Sequence, residues 1–210
     1  MMNVRFHLAA AMLIFVAARS AHAAPFSINL STGLDSSGTV QSTGGMADAN
    51  WMIASQPARV VAPGNADWWG GWPANDAISS WIAKDPTTFA NGVGTYSRAF
   101  DLSGIDLGTV SLTGKWAVDD EGTLTLNGHQ IGAYQPHDGW NKFATQSFSV
   151  TDPAWFNAGS NIVMLTIAQT DNFFEGVRLQ STLTATTPEP SSLAVVAIAF
   201  VGLFFRRDNR

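Results

Sequence analysis

Residues 114–128 read GKWAVDDEGTLTLNG, and they decide the fold. Trp116 and Val118 fall on alternating positions, and Val110 and Leu112 continue the alternation upstream with Gly114 in the same register. An apolar residue at every second position is the pattern of a strand with one buried face. Residues 123–127 (TLTLN) alternate again, Thr against Leu, and run into Asn127-Gly128. That dipeptide suits a two-residue hairpin turn, whose two central residues both need positive φ. Residues 129–134 (HQIGAY) then supply the return strand.

Further strands lie on both sides of this hairpin. Downstream, residues 144–150 (ATQSFSV) read as a strand. Residues 161–168 (NIVMLTIA) are apolar on both faces and should be central, and residues 176–186 (GVRLQSTLTAT) close the domain. Upstream pieces are residues 26–30, 52–54, 59–61 and 96–101. Only residues 74–82 carry a helical period, enough for one short turn of helix. Eight or more short strands joined by Gly-rich turns predict an all-β fold, a jelly-roll β-sandwich, with Trp116 in its core.

Composition agrees with a β-rich domain. The 210 residues include 19 glycines but only three lysines and three glutamates, the residues that helical proteins favour. Charged residues make up 13 %, too few for a disordered polyelectrolyte. Residues 24–186 have the length of one domain. Their net charge of −8 repels phosphate backbones, so nucleic acid is excluded as a partner. Without cysteine the chain has no disulfide, no thiolate nucleophile and no Cys-based zinc site.

Both ends read as addresses. Residues 1–23 are a signal peptide: Arg5 and His7 open it, residues 8–18 (LAAAMLIFVAA) are apolar, and Ala21-His22-Ala23 offers the small-x-small pattern for signal peptidase. Cleavage is expected before Ala24. Residues 187–210 form the tail: Pro188-Glu189-Pro190, an unbroken apolar run over residues 193–205, then Arg206-Arg207. The prolines set the start of a helix and the arginines hold its far end on the cytoplasmic side. Thirteen residues rise only about 20 Å against a hydrocarbon core of about 30 Å. So short a transmembrane helix suits a transient hold rather than a lasting anchor.

This order of parts resembles the PEP-CTERM sorting signal of Gram-negative bacteria. The matching residues are Pro188, Glu189 and Pro190, the apolar run, and Arg206 and Arg207. The resemblance implies recognition by an exosortase, a cysteine transpeptidase-like membrane enzyme, and cleavage near the tripeptide. It implies an exported chain held transiently at the inner membrane and then sent to the cell surface or extracellular matrix, in organisms that make exopolysaccharide and biofilm. The order of strands and turns over residues 96–185 resembles the galactose-binding-like jelly roll of many carbohydrate-binding modules. Residues 114–128, the turn Ala158-Gly159-Ser160-Asn161 and the opening Gly176-Val177-Arg178 carry that likeness. These motifs are turns, so they speak to fold rather than to ligand.

Few residues invite chemistry. The expected mature domain keeps two histidines, His129 and His137. There is no Gly-x-Ser-x-Gly elbow and no His-Glu-x-x-His pair, and Gly92-Val93-Gly94 is a turn rather than a dinucleotide loop. Glu121 and Glu175 are the glutamates available to an acid/base pair, but their spacing favours no reaction, so no enzyme is expected. Asp119, Asp120 and Glu121 form the densest acidic cluster. It reads either as a calcium site or as a solvated turn in which Asp119 accepts backbone amides.

Tryptophan is the unusual residue, eight in all. Residues 65–73 (NADWWGGWP) place Trp68, Trp69 and Trp72 within five positions. They read as a sugar platform, flat indoles against pyranose faces with Asn65 and Asp67 holding hydroxyls, or as a loop folded back to cap the sandwich. Three functions follow: a module that associates with exopolysaccharide, a structural biofilm-matrix protein with no specific ligand, or a secreted glycan hydrolase.

Overall fold

The structure is a computed structural model and describes residues 23–61, 72–84, 94–135, 141, 143–169 and 175–188. Most of the leader and the tail beyond Pro188, with Glu189, Pro190, Arg206 and Arg207, lie outside the described residues, as do Asn65, Asp67, Trp68, Trp69 and His137.

Eleven strands follow one another: β1 (Pro25–Asn29), β2 (Ala47–Ile53), β3 (Gln56–Val60), β4 (Ile82–Ala83), β5 (Gly94–Asp101), β6 (Ser111–Asp119), β7 (Glu121–Leu126), β8 (His129–Gln130), β9 (Ser147–Val150), β10 (Ser160–Gln169) and β11 (Gly176–Thr186). Every pairing is antiparallel. They run in the order β8-β7-β10-β5-β2-β3-β4-β11-β6-β9, with β1 added beside β11. This one sheet curls so that β7-β10-β5 faces β11-β6-β9 across the core, while β2, β3 and β4 make the bend. The fold is all-β, a curled antiparallel jelly-roll sandwich. The steps β5→β6, β6→β7 and β10→β11 each carry the chain from one half to the other.

Register explains the core. Leu124, Leu165 and Tyr96 stand on one rung of the first half, and Leu179 and Trp116 on one rung of the second. All five are buried and belong to the main core cluster. Because side chains alternate along a strand, one rung placed inward puts every second residue of its strands inward. The hairpin turn takes the conformation its residues favour: Asn127 has φ 50° and Gly128 φ 87°. Its return strand is only His129–Gln130, shorter than expected: Ile131 still donates to the Leu124 carbonyl, and the chain bends away at Gly132.

Asp48 and Arg98 are among the charged groups buried in the fold. The carboxylate of Asp48 accepts the amides of Gly33 (2.6 Å), Asn50 (2.8 Å) and Trp51 (3.0 Å). Burial pushes its pKa up, against the pull of those amides and of the Arg98 charge. Arg98 donates to the Ser31 carbonyl at 3.2 Å.

The helical turn expected at residues 74–82 is absent. Asn75 accepts the Trp81 amide and donates to the Val61 carbonyl, Asp76 accepts the amides of Ile78 and Ser79, and Arg178 takes the carbonyls of Ala74 and Ser79. Side chains thus occupy the backbone groups that a helix would pair with each other.

Trp116 is fully buried, and its indole N–H has no partner among the described residues. Trp116→Ala should lower the unfolding free energy by about 3–5 kcal/mol, the range for emptying an aromatic core site. Trp116→Phe should cost less than about 1.5 kcal/mol, since it keeps a ring and removes an unsatisfied donor. Urea unfolding of both variants checks the pair; equal losses would mean that the indole N–H is satisfied.

Candidate functional site

Among the described residues, one end of the sandwich gathers Asp119, Asp120, Glu121, Trp72 and Tyr134. The rungs Gly94–Ile167, Glu121–Gln169 and Asp119–Gly176 lie there, and the Gly122–Gln135 bridge closes it. Gly94, Gln135, Gln169 and Gly176 lie on these rungs, and Trp72 reaches them through Asp119.

The acidic cluster stands where the chain passes from β6 to β7. Asp119 and Asp120 are buried, 5 % and 4 % exposed, and joined by a cis peptide. Asp119 accepts the indole N–H of Trp72 at 2.5 Å. Glu121 is half-buried and accepts the hydroxyl of Tyr134. This hydrogen bond holds the Tyr134 pKa above its ordinary value, aided by the carboxylate charge. The reading of the cluster as a solvated turn is corrected: β6 and β7 draw its aspartates inward. Among the described residues no group of three His, Cys, Asp or Glu side chains could hold a metal ion. Asp119 reaches Trp72 and Glu121 reaches Tyr134.

Glu175 is 4 % exposed beside the buried Tyr96. Burial raises the Tyr96 pKa, and the Glu175 charge raises it further. Glu121 and Glu175 thus share one end of the fold but face different partners.

Trp72 is also corrected. It is 5 % exposed, stacked on Trp81 with ring centroids 4.4 Å apart. With Val61, Ala83, Ala117 and Phe143 the two indoles form a second small core on the outer face of β6 and β11. An indole stacked on one side and hydrogen-bonded at its edge offers no open face to a sugar. At this position the loop is a cap.

Arg178 anchors that cap. Strand alternation puts it on the outer face of β11, yet it is only 1 % exposed. Its Nε donates to the Ser79 hydroxyl (2.9 Å), Nη1 to the Ala74 carbonyl (2.7 Å) and Nη2 to the Ser79 carbonyl (3.0 Å). Asp76 meets Nη2 at 2.8 Å, and the guanidinium lies 4.1 Å from the Phe143 ring centre. Lys115 Nζ approaches the same ring at 4.5 Å. Sequence reading named Arg178 as a strand opening but not as a charge. The missed signal was a lone arginine on a strand whose other outward residues are Gln and Thr.

No protein family matches the chain, and no curated protein does. Two solved structures are similar at low level. A family 35 carbohydrate binding module from Clostridium thermocellum is 14 % identical with a TM-score of 0.33, over 64 % of this chain and 90 % of that one. An isomalto-dextranase from Arthrobacter globiformis T6, complexed with panose, is 14 % identical with a TM-score of 0.32, over 79 % of this chain and 33 % of its own length.

Arg178→Ala should destabilise the domain by about 3 kcal/mol, the low end for a broken buried pair, because Asp76 can rehydrate. It should also open residues 74–81 to proteases; an unchanged digestion pattern would remove Arg178 as the anchor.

Asp76 gives a pH dependence. Burial pushes its carboxyl up, but the Ile78 and Ser79 amides with the Arg178 and Lys115 charges outweigh this and leave it below its ordinary 3.8. A depressed folded value stabilises above the unfolded value and is lost as pH falls through the folded one. The stability difference between wild type and Asp76→Asn should therefore be constant above about pH 5 and vanish toward pH 2. Urea midpoints across that range test it.

Proposed function

We propose that the chain is an exported surface or matrix protein of a Gram-negative bacterium, sorted by an exosortase through its tail, whose β-domain associates with exopolysaccharide. The observation that carries the reading is the position of the domain's two ends. The compact unit spans Ala24–Pro188. Its first residue, next to the expected leader cleavage, pairs with Thr187, one residue before the tripeptide: the Thr187 amide donates to the Ala24 carbonyl at 3.0 Å. These bounds fit a cargo domain that lies in sequence between two removable addresses.

Association with polysaccharide rests on the loop end. Trp72 is spent on the cap, so Trp68 and Trp69 carry the stacking, with Asn65 and Asp67 for hydroxyls. Stacking contributes roughly 0.5–1.5 kcal/mol per ring beyond area burial. A single site is then weak, and a polymer with many sites gains by avidity. The rival readings are a matrix protein without a ligand and a glycan hydrolase using Glu121 and Glu175.

Two measurements test this. Replacing Pro188 and Pro190 with Ala should leave export intact and keep the tail attached, by intact mass of the surface fraction. Loss of the tail at the wild-type rate would sink the sorting motif. Trp68→Ala and Trp69→Ala should reduce retention on the host's own polysaccharide at least tenfold while the Tm stays within a few degrees. Retention unchanged favours the ligand-free matrix protein, and glycan cleavage lost on Glu175→Gln would establish the hydrolase.

A further inference from the structure

β10 carries more apolar side chains than its inner face can use. Asn161, Val163, Leu165 and Ile167 point inward and are buried, and across the core the strand meets β6 and β11. The opposite face carries Ile162, Met164 and Thr166, all half-buried, and the exposed Ala168. Apolar residues on both faces mark a strand that is covered on both sides. The described residues form a core on one side of β10 only.

Register widens this outer face into a patch. Ile162 pairs with Ala99, and Met164 pairs with Ser97, which pairs in turn with Met52. Thr95, Thr166 and Thr123 share the rung toward the loop end, with the first two hydroxyls 3.2 Å apart. The apolar side chains are thus edged by hydroxyls. Between Glu121 at one end and Asp101 at the other, the outward positions of β5, β7 and β10 carry no charge and no aromatic ring.

We infer that this face docks a second copy of the chain, sheet on sheet about a twofold axis. Without a ring the face offers no stacking platform to a sugar, and without a charge it selects no ionic partner. Residues 24–186 carry a net charge of −8, so two copies repel over most of their surface and approach best where both are uncharged. Methionine adapts its shape to what it meets, so two identical patches pack without prior complementarity. Size sets the strength. Five strands spaced about 4.8 Å apart, over four outward rungs about 6.8 Å apart, present roughly 400 Å² per copy. A stable interface takes about 800 Å² per partner, so the pair is weak and fills at high local concentration. The inference is independent of the sorting and polysaccharide readings.

The chain has no cysteine, so a single one serves as a probe. Ser97→Cys lies at the centre of the patch, and Thr182→Cys lies on the outward face of β11 as a control. The full chain, in a mild non-ionic detergent, is treated with a short bismaleimide at rising protein concentration. Ser97→Cys should give at least tenfold more crosslinked dimer than Thr182→Cys. Adding Met164→Asp or Met164→Lys to the Ser97→Cys chain should cut the dimer at least tenfold. An equimolar mixture of those two chains should restore it, as a heterodimer by intact mass. If either chain loses its near-UV circular dichroism, Ala99→Glu and Ala99→Lys, at an exposed position, are read instead. Equal dimer from both probes, or an unchanged dimer in folded charged variants, overturns the inference. So does a chain that stays monomeric throughout while its charged variants lose retention on the host's polysaccharide, which would make the occupant a glycan.

Discussion

A guanidinium buried in a sheet face must find partners for its donors, and Arg178 finds them in a loop rather than in the sheet. It is fixed for charge at every physiological pH, so desolvating it without partners would be prohibitive. The carbonyls of Ala74 and Ser79, the Ser79 hydroxyl and the Asp76 carboxylate therefore gather around it. Once residues 74–79 are bound there, Trp81 and Trp72 are brought over the outer face of β6 and β11. Trp72 then meets Asp119, and the crossover from β6 to β7 is held from outside as well as from the core. A sheet that would otherwise have one solvated face gains a second, smaller core.

That arrangement bears on what the loop end can do. Rigid anchors beneath variable segments are the usual basis of a binding surface. Here the anchors are apolar stacking, a buried charge and short hydrogen bonds around Trp72 and Arg178. The carboxylates of Asp119 and Glu121 are engaged by an indole and a phenol.

Much of the fold was readable from local sequence. Strands β6 and β7 announce themselves because each has a buried face of every-second-residue apolar side chains, β10 because its run is apolar throughout, and Asn127-Gly128 marks its turn because few other dipeptides take two positive φ angles. What was not readable has one cause, long-range pairing. Asp119 and Asp120 look like solvated turn residues until Trp72, distant in sequence, is placed above them. Residues 74–82 look helical until Arg178 claims their carbonyls. The three indoles look alike along the chain, yet Trp72 is assigned to the interior by Trp81. In the candidate site, the burial of Asp119 and the anchoring by Arg178 came from tertiary contacts with no local signature.

The length of β11 has a mechanical meaning. The strand runs from Gly176 at the loop end to Thr186 beside the tail, and it shares nine register pairs with β6. Tension between something gripped at the loop end and the tail is carried along this strand. Its hydrogen bonds to β6 lie across the pull and are loaded together, in shear. A force that separates the two chain ends acts otherwise, on the single rung where Ala24 meets Thr187, and opens β1 from β11 one bond after another. The same domain is thus stiff along one axis and yields like a zipper along the other.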